Sequence, residues 1–137
     1  MLAVAAFILG CGDAESPNDN AQPMMQVVCA KPDGLYKSHW ERQGGSCPQV
    51  TDGVVNPSNG YPAFGTLQDG CIGTVSPSAD GCSYSFDQEC TAPFSYILRG
   101  KVTWNADASV GSGLIYTSSV SAIGVCSSNF MVYYTRL

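Results

Sequence analysis

Apolar and polar residues alternate along several short segments of the chain from Leu35 onward. In the segment YILRGKVTW, apolar residues occupy even positions and mostly polar residues occupy odd ones: Tyr96, Leu98, Val102 and Trp104 against Arg99, Lys101 and Thr103. A period of two is typical of a half-buried strand, because successive side chains point to opposite faces. Further strands are predicted in GLYKSHWERQ, CIGTV, CSYSFDQEC, GLIYTSSVS and NFMVYYTRL.

Turn residues separate these predicted strands. Asp80-Gly81 lies between CIGTV and CSYSFDQEC, and NADASVG precedes GLIYTSSVS, which predicts a hairpin with Trp104 and Leu114 near its closed end. Seven or eight antiparallel strands in sequence indicate an all-β fold, a small meander that closes into a barrel or a flattened sandwich. If the strand number is even, the first strand runs antiparallel to the last.

The stretch from Gly44 to Leu67 differs from the rest, since it holds three prolines and five glycines. It predicts one short edge strand around Gln49 to Val55, followed by a long loop. Loops of that length often carry function, so Asn56 to Phe64 is the exposed region of greatest interest.

Composition narrows the class of protein. Apolar residues make up 45% of the 137 residues and charged residues 12%, which favours one compact β-rich domain over a disordered chain. The net charge is -5, but from Met24 onward six basic residues face eight acidic ones. Without a basic stripe to neutralise phosphates, we expect no nucleic-acid partner.

The first residues have the pattern of an export signal. Leu2 to Leu9 form an unbroken apolar run, far shorter than the roughly 20 residues that span a bilayer. The sequence Ile8-Leu9-Gly10-Cys11 that ends it resembles the lipobox of bacterial lipoproteins, with a small residue before the cysteine. The resemblance implies a signal peptide over residues 1–10 and lipidation of Cys11, for example with palmitate. Residues 11–25 would then be a flexible tether and residues 26–137 a disulfide-stapled β domain.

The resemblance also implies a location. A lipid-anchored protein of this kind is held in the cell envelope. Gly12 stands where an inner-membrane retention Asp often follows the cysteine, so the outer membrane is expected if the cell is Gram-negative. The alternative is a secreted protein in which Cys11 carries no lipid.

Six further cysteines predict three disulfides: Cys29, Cys47, Cys71, Cys82, Cys90 and Cys126. Six cysteines allow 15 connectivities. Closure of the meander favours Cys47 with Cys126, and a hairpin centred on Asp80-Gly81 favours Cys71 with Cys90, which leaves Cys29 with Cys82. No close C-x-x-C pair accompanies the single histidine, so neither a zinc site nor any other metal or cofactor is expected.

Candidate catalytic groups are few. His39 is the one base of suitable pKa, and a surface position on a strand explains it without catalysis. Two carboxylate pairs, Asp87 with Glu89 and Glu41 with Asp52, fit glycosidic chemistry if they converge in space. Asp-Gly pairs are better explained as turns than as calcium loops. We therefore expect no enzyme.

Aromatic residues are the better candidates for ligand or partner contact: Tyr61, Phe64, Trp40 and Trp104. DGLYKSHW also resembles the G-x-W opening of lipocalins, with Tyr36 in place of Trp, which implies a barrel that carries a small apolar ligand. Three hypotheses follow. The first is a non-catalytic binding or structural domain, the second is a lipocalin-like carrier, and the third is a carboxylate-based hydrolase.

Overall fold

The computed structural model describes residues 27–91 and 94–137. The predicted signal peptide, Cys11 and the tether lie outside the described residues. The described chain forms seven strands: β1 Tyr36–Gly45, β2 Gly53–Val55, β3 Cys71–Pro77, β4 Ser83–Cys90, β5 Ser95–Trp104, β6 Val110–Ser121 and β7 Gly124–Arg136. Two short 3-10 turns, Pro57–Asn59 and Pro62–Phe64, lie between β2 and β3.

The seven strands form one antiparallel sheet in the order β2-β1-β7-β6-β5-β4-β3. Strands β3 to β7 are a meander, and β1 pairs with β7 so that Tyr36 lies opposite Arg136. The predicted all-β meander is confirmed. The first strand does pair antiparallel with the last, although the strand number is odd, because β2 pairs with the outer side of β1. The sheet curls into a half-barrel whose edge strands are β2 and β3.

The alternation in β5 places its apolar residues on the concave face of the sheet. Val102 and Trp104 are buried there, whereas Arg99 and Lys101 are exposed on the convex face. The predicted position of Leu114 is wrong, because Gly111 lies opposite Trp104 and Leu114 pairs with Lys101. The turn between β5 and β6 is shorter than the sequence suggested, so β6 begins three residues before Gly113.

The loop between β2 and β3 covers part of the concave face. Phe64 is only 1% exposed, and its ring centroid lies 5.2 Å from that of Tyr36 and 5.1 Å from those of Trp104 and Tyr134. The expectation of an exposed loop is therefore wrong for Pro62–Phe64, which is buried. An open half-barrel leaves an apolar concave surface, and burying it under an aromatic ring is favourable. We call Pro62–Phe64 the plug.

A glycine ends the plug where no other residue fits well. Gly65 has a φ of +90°, and a Cβ atom there would lie 2.6 Å from the Tyr84 ring. Left-handed backbone is easily adopted by glycine, and the missing side chain lets the Tyr84 ring approach.

Three disulfides join the strands in the predicted pairing: Cys29–Cys82, Cys47–Cys126 and Cys71–Cys90. Cys29 also donates its backbone N–H to the carbonyl of Asp80 at 3.0 Å. Cys29 therefore lies at the end of the sheet that carries the β3–β4 and β5–β6 turns, which we call the near end. The other two disulfides lie toward the opposite, far end, where β6 turns into β7.

Candidate functional site

An apolar groove opens on the concave face at the far end, beyond the plug. Its floor is a row of side chains from neighbouring strands, in which Tyr96 of β5 lies opposite Ser119 of β6, and Ser119 lies opposite Cys126 of β7. The disulfide from Cys126 to Cys47 closes the row on one side. Thr117, two residues before Ser119 in β6, lies on the same face in the next row, because alternate residues of a strand share a face.

The groove is lined by small side chains together with larger apolar and aromatic ones. The groove has a volume of about 270 Å³, and its lining residues are all uncharged: Cys47, Pro48, Val50, Phe94, Tyr96, Thr117, Ser119, Cys126 and Phe130. Such a lining, mostly apolar with a few polar groups, is typical of sites for small molecules.

The rim of the groove is also apolar and largely open to solvent. A second depression of about 470 Å³ shares Phe94, Pro48 and Ser119 with the groove and extends to Ile123 and Val125. Phe94 is 50% exposed, Ile123 100% and Val125 70%. Contiguous exposed apolar surface of this kind often marks a binding site on a soluble domain.

Tyr96, in the floor of the groove, is connected to a buried polar network. The Tyr96 hydroxyl donates to Oε1 of Gln68 at 3.0 Å, and Nε2 of Gln88 donates to the same oxygen at 3.1 Å. Gln88 is fully buried, and its Oε1 has no partner among the described residues. Burial raises the pKa of Tyr96, with a smaller contribution from Tyr61, so the hydroxyl stays protonated at neutral pH.

Packing behind the groove holds its wall in place. The Phe130 ring, which is fully buried, meets the Trp40 ring edge-on at a centroid distance of 6.0 Å. Ser128, two residues before Phe130 on the same face of β7, accepts a hydrogen bond from the backbone N–H of Cys47 at 2.8 Å. These contacts fix the position of the disulfide and the ring next to it.

The four aromatic residues proposed from the sequence lie elsewhere. Phe64 and Trp104 belong to the core, and Tyr61 packs against that core beside Phe64 at a centroid distance of 6.2 Å. Trp40 is partly buried and supports Phe130 from behind. Sequence analysis missed Phe94 and Phe130. The one sequence signal at Phe94 is an aromatic residue in a hairpin connection, which does not by itself indicate a site.

The carboxylate pair Glu41 and Asp52 does converge, around His39. Nδ1 of His39 lies 2.7 Å from Asp52 Oδ1, and Nε2 lies 3.4 Å from Glu41 Oε1. These three side chains are about half exposed on the convex side. The hydrogen bond to Asp52 is the main cause that raises the pKa of His39. Because Asp52 directly precedes β2, the cluster ties this edge strand to β1.

Two other carboxylates, Asp87 and Asp80, have structural partners. Asp87 accepts a hydrogen bond from Nε of Arg99 at 2.9 Å on the exposed face. Asp80 accepts from the Ser78 hydroxyl and from the backbone N–H of Cys82, and these bonds lower its pKa, as expected for a turn. Among the described residues, no group of three or more ligating side chains is arranged to hold a metal ion.

Comparison with protein-family models, with curated proteins and with solved structures finds no match to this chain. Within residues 27–91 and 94–137, no helix has the length and apolar character needed to cross a bilayer.

Proposed function

We propose that this protein is an exported, envelope-anchored binding domain that takes a neutral, apolar ligand in the groove at the far end of its sheet. The observation that carries the proposal is the groove itself. Every residue that lines it is uncharged, and exposed apolar side chains continue from its rim. Binding an apolar molecule there would remove from water a surface that otherwise has no cover among the described residues.

The disulfides support export. Three bridges in one small domain are common in oxidising compartments and rare in the cytosol. The apolar run before Cys11 supplies the matching signal, and Cys11 supplies the candidate anchor. Because disulfides persist outside the cytosol, both features favour the same compartment.

The position of Cys29 relates the groove to the proposed anchor. Cys29 follows the predicted tether in sequence and is joined to Cys82 at the near end. Strand β7 has 13 residues, which corresponds to about 40 Å at about 3.3 Å per residue. An anchor on the N-terminal side would then leave the groove facing away from the anchoring membrane, toward ligands in the surrounding compartment.

The lipocalin-like alternative is favoured less. A carrier of that kind would hold its ligand inside the barrel, among Tyr84, Phe86, Leu98 and Trp104. The plug occupies that part of the concave face, with the Phe64 ring packed against Trp104. A ligand is therefore better accommodated in the groove. We propose no hydrolase, because the His39 cluster lies on the convex surface with its atoms already paired.

Metabolic labelling tests the anchor. In bacteria that express the full chain, labelled palmitate should be incorporated into the wild-type protein and lost in a Cys11→Ala variant. A Cys11→Ala variant that keeps its label would refute Cys11 as the lipidation site. Fractionation of the same cells distinguishes an envelope-bound from a secreted protein.

Binding of a neutral fluorescent probe tests the groove. We expect the full chain to bind N-phenyl-1-naphthylamine and a Phe94→Ser variant to bind it about tenfold more weakly, because part of an apolar wall is lost. Val110→Ser is the matched control, since Val110 is 48% exposed but lies at the near end. Probe bound to lipid or detergent contributes equally to all three proteins. Equal binding by the two variants would contradict the proposed site.

A further inference from the structure

We infer that the open edge of β3 pairs with β3 of a second copy of this chain, so that two half-barrels join into one continuous sheet. The two strands run antiparallel about a two-fold axis that passes through Thr74. The basis is the hydrogen-bonding pattern of this edge strand, together with its exposure and its lack of charge. No residue of β3 lines the groove, so the inference is independent of the proposed function.

The two edges of the sheet are protected to different degrees. β2 has only three residues, and the ionisable side chains of His39 and Asp52 lie beside its start. β3 has seven residues, none of them charged, and its one proline, Pro77, is the last. Short length, charge and proline are features that keep edge strands from pairing with other chains. The edge formed by β3 is therefore the one open to a partner.

The pairing of β3 with β4 determines which backbone groups face outward. Opposite residues of an antiparallel pair alternate between hydrogen-bonded and non-hydrogen-bonded pairs. Ser78 donates its backbone N–H to the carbonyl of Ser83 at 2.8 Å, so the even-numbered residues of β3 bond to β4. The odd-numbered Gly73 and Val75 therefore direct their N–H and C=O groups away from β4.

These outward groups are accessible to another strand. Gly73 is exposed and Val75 is partly exposed. Among residues 27–91 and 94–137, none makes a hydrogen bond to the backbone of either residue across the open edge. Free N–H and C=O groups on an edge strand are a template for pairing. Gly73 and Val75 together offer two donors and two acceptors.

An inverted copy of β3 satisfies all four groups at once. With the axis at Thr74, Gly73 of each copy lies opposite Val75 of the other, and each such pair exchanges two N–H···O=C bonds. A shift of the axis to Val75 would place the Gly73 carbonyl opposite Pro77, which has no N–H. A shift to Gly73 would place the Val75 carbonyl opposite Cys71, whose N–H already bonds to the carbonyl of the residue at position 68.

The side chains across this contact are compatible. On the convex face, Thr74 lies opposite Thr74 of the second copy, and Thr pairs across strands are favourable. Ile72 lies opposite Ser76 of the second copy. Because Ile72 is 72% exposed in the single chain, pairing removes apolar surface from water. On the concave face, Val75 meets Gly73, which has no side chain to obstruct it.

The candidate anchor permits this arrangement. The strands of the two copies run in opposite directions, so the two near ends lie at opposite ends of the joined sheet. Cys11 and Cys29 are 18 residues apart, and an extended chain of that length spans at most about 60 Å. Strand β7 is about 40 Å long at about 3.3 Å per residue. Two copies anchored in one membrane can therefore reach each other.

Cysteine cross-linking tests the contact and its register. Non-hydrogen-bonded residues on antiparallel strands have Cα atoms about 4.5 Å apart. Cys71–Cys90 joins a pair of this kind, with Cα atoms 4.0 Å apart. Under mild oxidation, the full chain with Thr74→Cys should form a disulfide-linked dimer. Ser76→Cys is the matched control, because its two copies would lie about 13 Å apart, too far for a disulfide. The wild-type protein shows any dimer formed through Cys11.

Sedimentation equilibrium of the full chain in detergent tests the contact without a cross-link. One strand from each copy makes a small contact, so we expect a reversible dimer whose fraction rises with concentration. Thr74→Lys places like charges opposite each other at the axis and should raise the dissociation constant at least about tenfold. Ser112→Lys is the control, since Ser112 is exposed on the convex face of β6, within the sheet, and should leave the dimer unchanged.

The outcomes decide the inference. A protein that stays monomeric at every concentration, with no more dimer in Thr74→Cys than in the wild type, would overturn it. Equal cross-linking by Thr74→Cys and Ser76→Cys would refute the register, and a cross-link from Thr74→Cys to a different protein would show that the edge binds another partner. If Thr74→Lys fails to fold, the cross-linking result decides. All of these variants should bind N-phenyl-1-naphthylamine as the wild type does, because none of them changes the groove.

Discussion

The indole N–H of Trp104 donates to the backbone carbonyl of Ala63 at 3.0 Å, a buried bond between residues 41 positions apart in the chain. This bond fixes the plug to β5. It also explains why Pro62–Phe64 can lie inside the half-barrel, because the buried carbonyl of Ala63 has a partner there. The ring of Phe64 packs beside the same indole, so one residue of the sheet holds the plug by packing and by hydrogen bonding.

Removal of the plug's ring should lower the stability of the whole domain. We expect Phe64→Ala to reduce the free energy of unfolding by about 3 to 5 kcal/mol, because it leaves a cavity among four aromatic rings. Urea unfolding followed by Trp fluorescence measures the change. Asn59→Ala is the control, since Asn59 is exposed in the first 3-10 turn, and its effect should stay within about 0.5 kcal/mol. Equal effects of the two substitutions would show that the plug is not part of the core.

Loss of the indole donor should have a smaller cost than loss of the Phe64 ring. In Trp104→Phe an aromatic ring remains in the core, but the buried Ala63 carbonyl has lost its partner. We expect a destabilisation of about 1 to 3 kcal/mol. Relative to the wild-type protein, amide hydrogen exchange in this variant should increase more in the plug than in β6 and β7. Wild-type protection of the plug in this variant would argue against the bond as its anchor.

Glycine at position 111 is required by the Trp104 ring. A Cβ atom at Gly111 would lie 2.4 Å from that ring, whereas one at Gly44 of β1 would meet nothing within 4 Å. Gly111→Ala should therefore destabilise the domain by about 1 to 3 kcal/mol. Gly44→Ala should have little effect or stabilise slightly. Thermal unfolding of the two variants makes the comparison, and similar melting temperatures would contradict it.

The disulfides should differ in what they contribute. Cys47–Cys126 closes a loop with a sequence separation of 79, and Cys71–Cys90 one of 19. From the entropy of loop closure, we expect the free energy of unfolding to fall by about 4.5 kcal/mol when Cys47 and Cys126 are replaced by alanine. For Cys71 and Cys90 the expected fall is about 3 kcal/mol. Only the first replacement should also weaken probe binding, because both cysteines of that pair line the groove. Unfolding and probe titration of the two double variants check both expectations.

The His39 cluster predicts a stability that depends on pH. The pKa of His39 is raised from its usual 6.5, chiefly by the hydrogen bond to Asp52, so the protonated form is favoured in the folded state. The resulting stabilisation is complete below the unfolded pKa and is lost as pH rises through the folded pKa. The urea concentration at the unfolding midpoint of the wild-type protein should therefore decrease as the pH is raised from about 6 to about 9. In His39→Gln the midpoint should vary less over the same interval, and an equal fall would exclude His39 as its cause.

Much of the fold could be predicted from local pattern. Alternation in β5 correctly assigned Val102 and Trp104 to one face, because the side-chain period of a strand is two. The Asp80-Gly81 turn set the register that brings Cys71 opposite Cys90. The pairing of β1 with β7 brings Cys47 near Cys126, as expected for a closing meander. These features depend on neighbours along the chain or on simple hairpin geometry.

The sequence by itself thus determined the main strands, their buried faces and the candidate export signal. It favoured one of the 15 possible disulfide pairings, and the structure established that pairing. Only the tertiary structure decided that the Pro/Gly loop enters the half-barrel and that an open groove remains beyond it. The groove combines Phe94, Phe130 and residues of β5 and β6, which are distant in sequence and become neighbours only through strand pairing. Local periodicity indicates which face a residue occupies. It does not indicate how far a sheet closes or which loop covers its open side, because both depend on packing between distant segments.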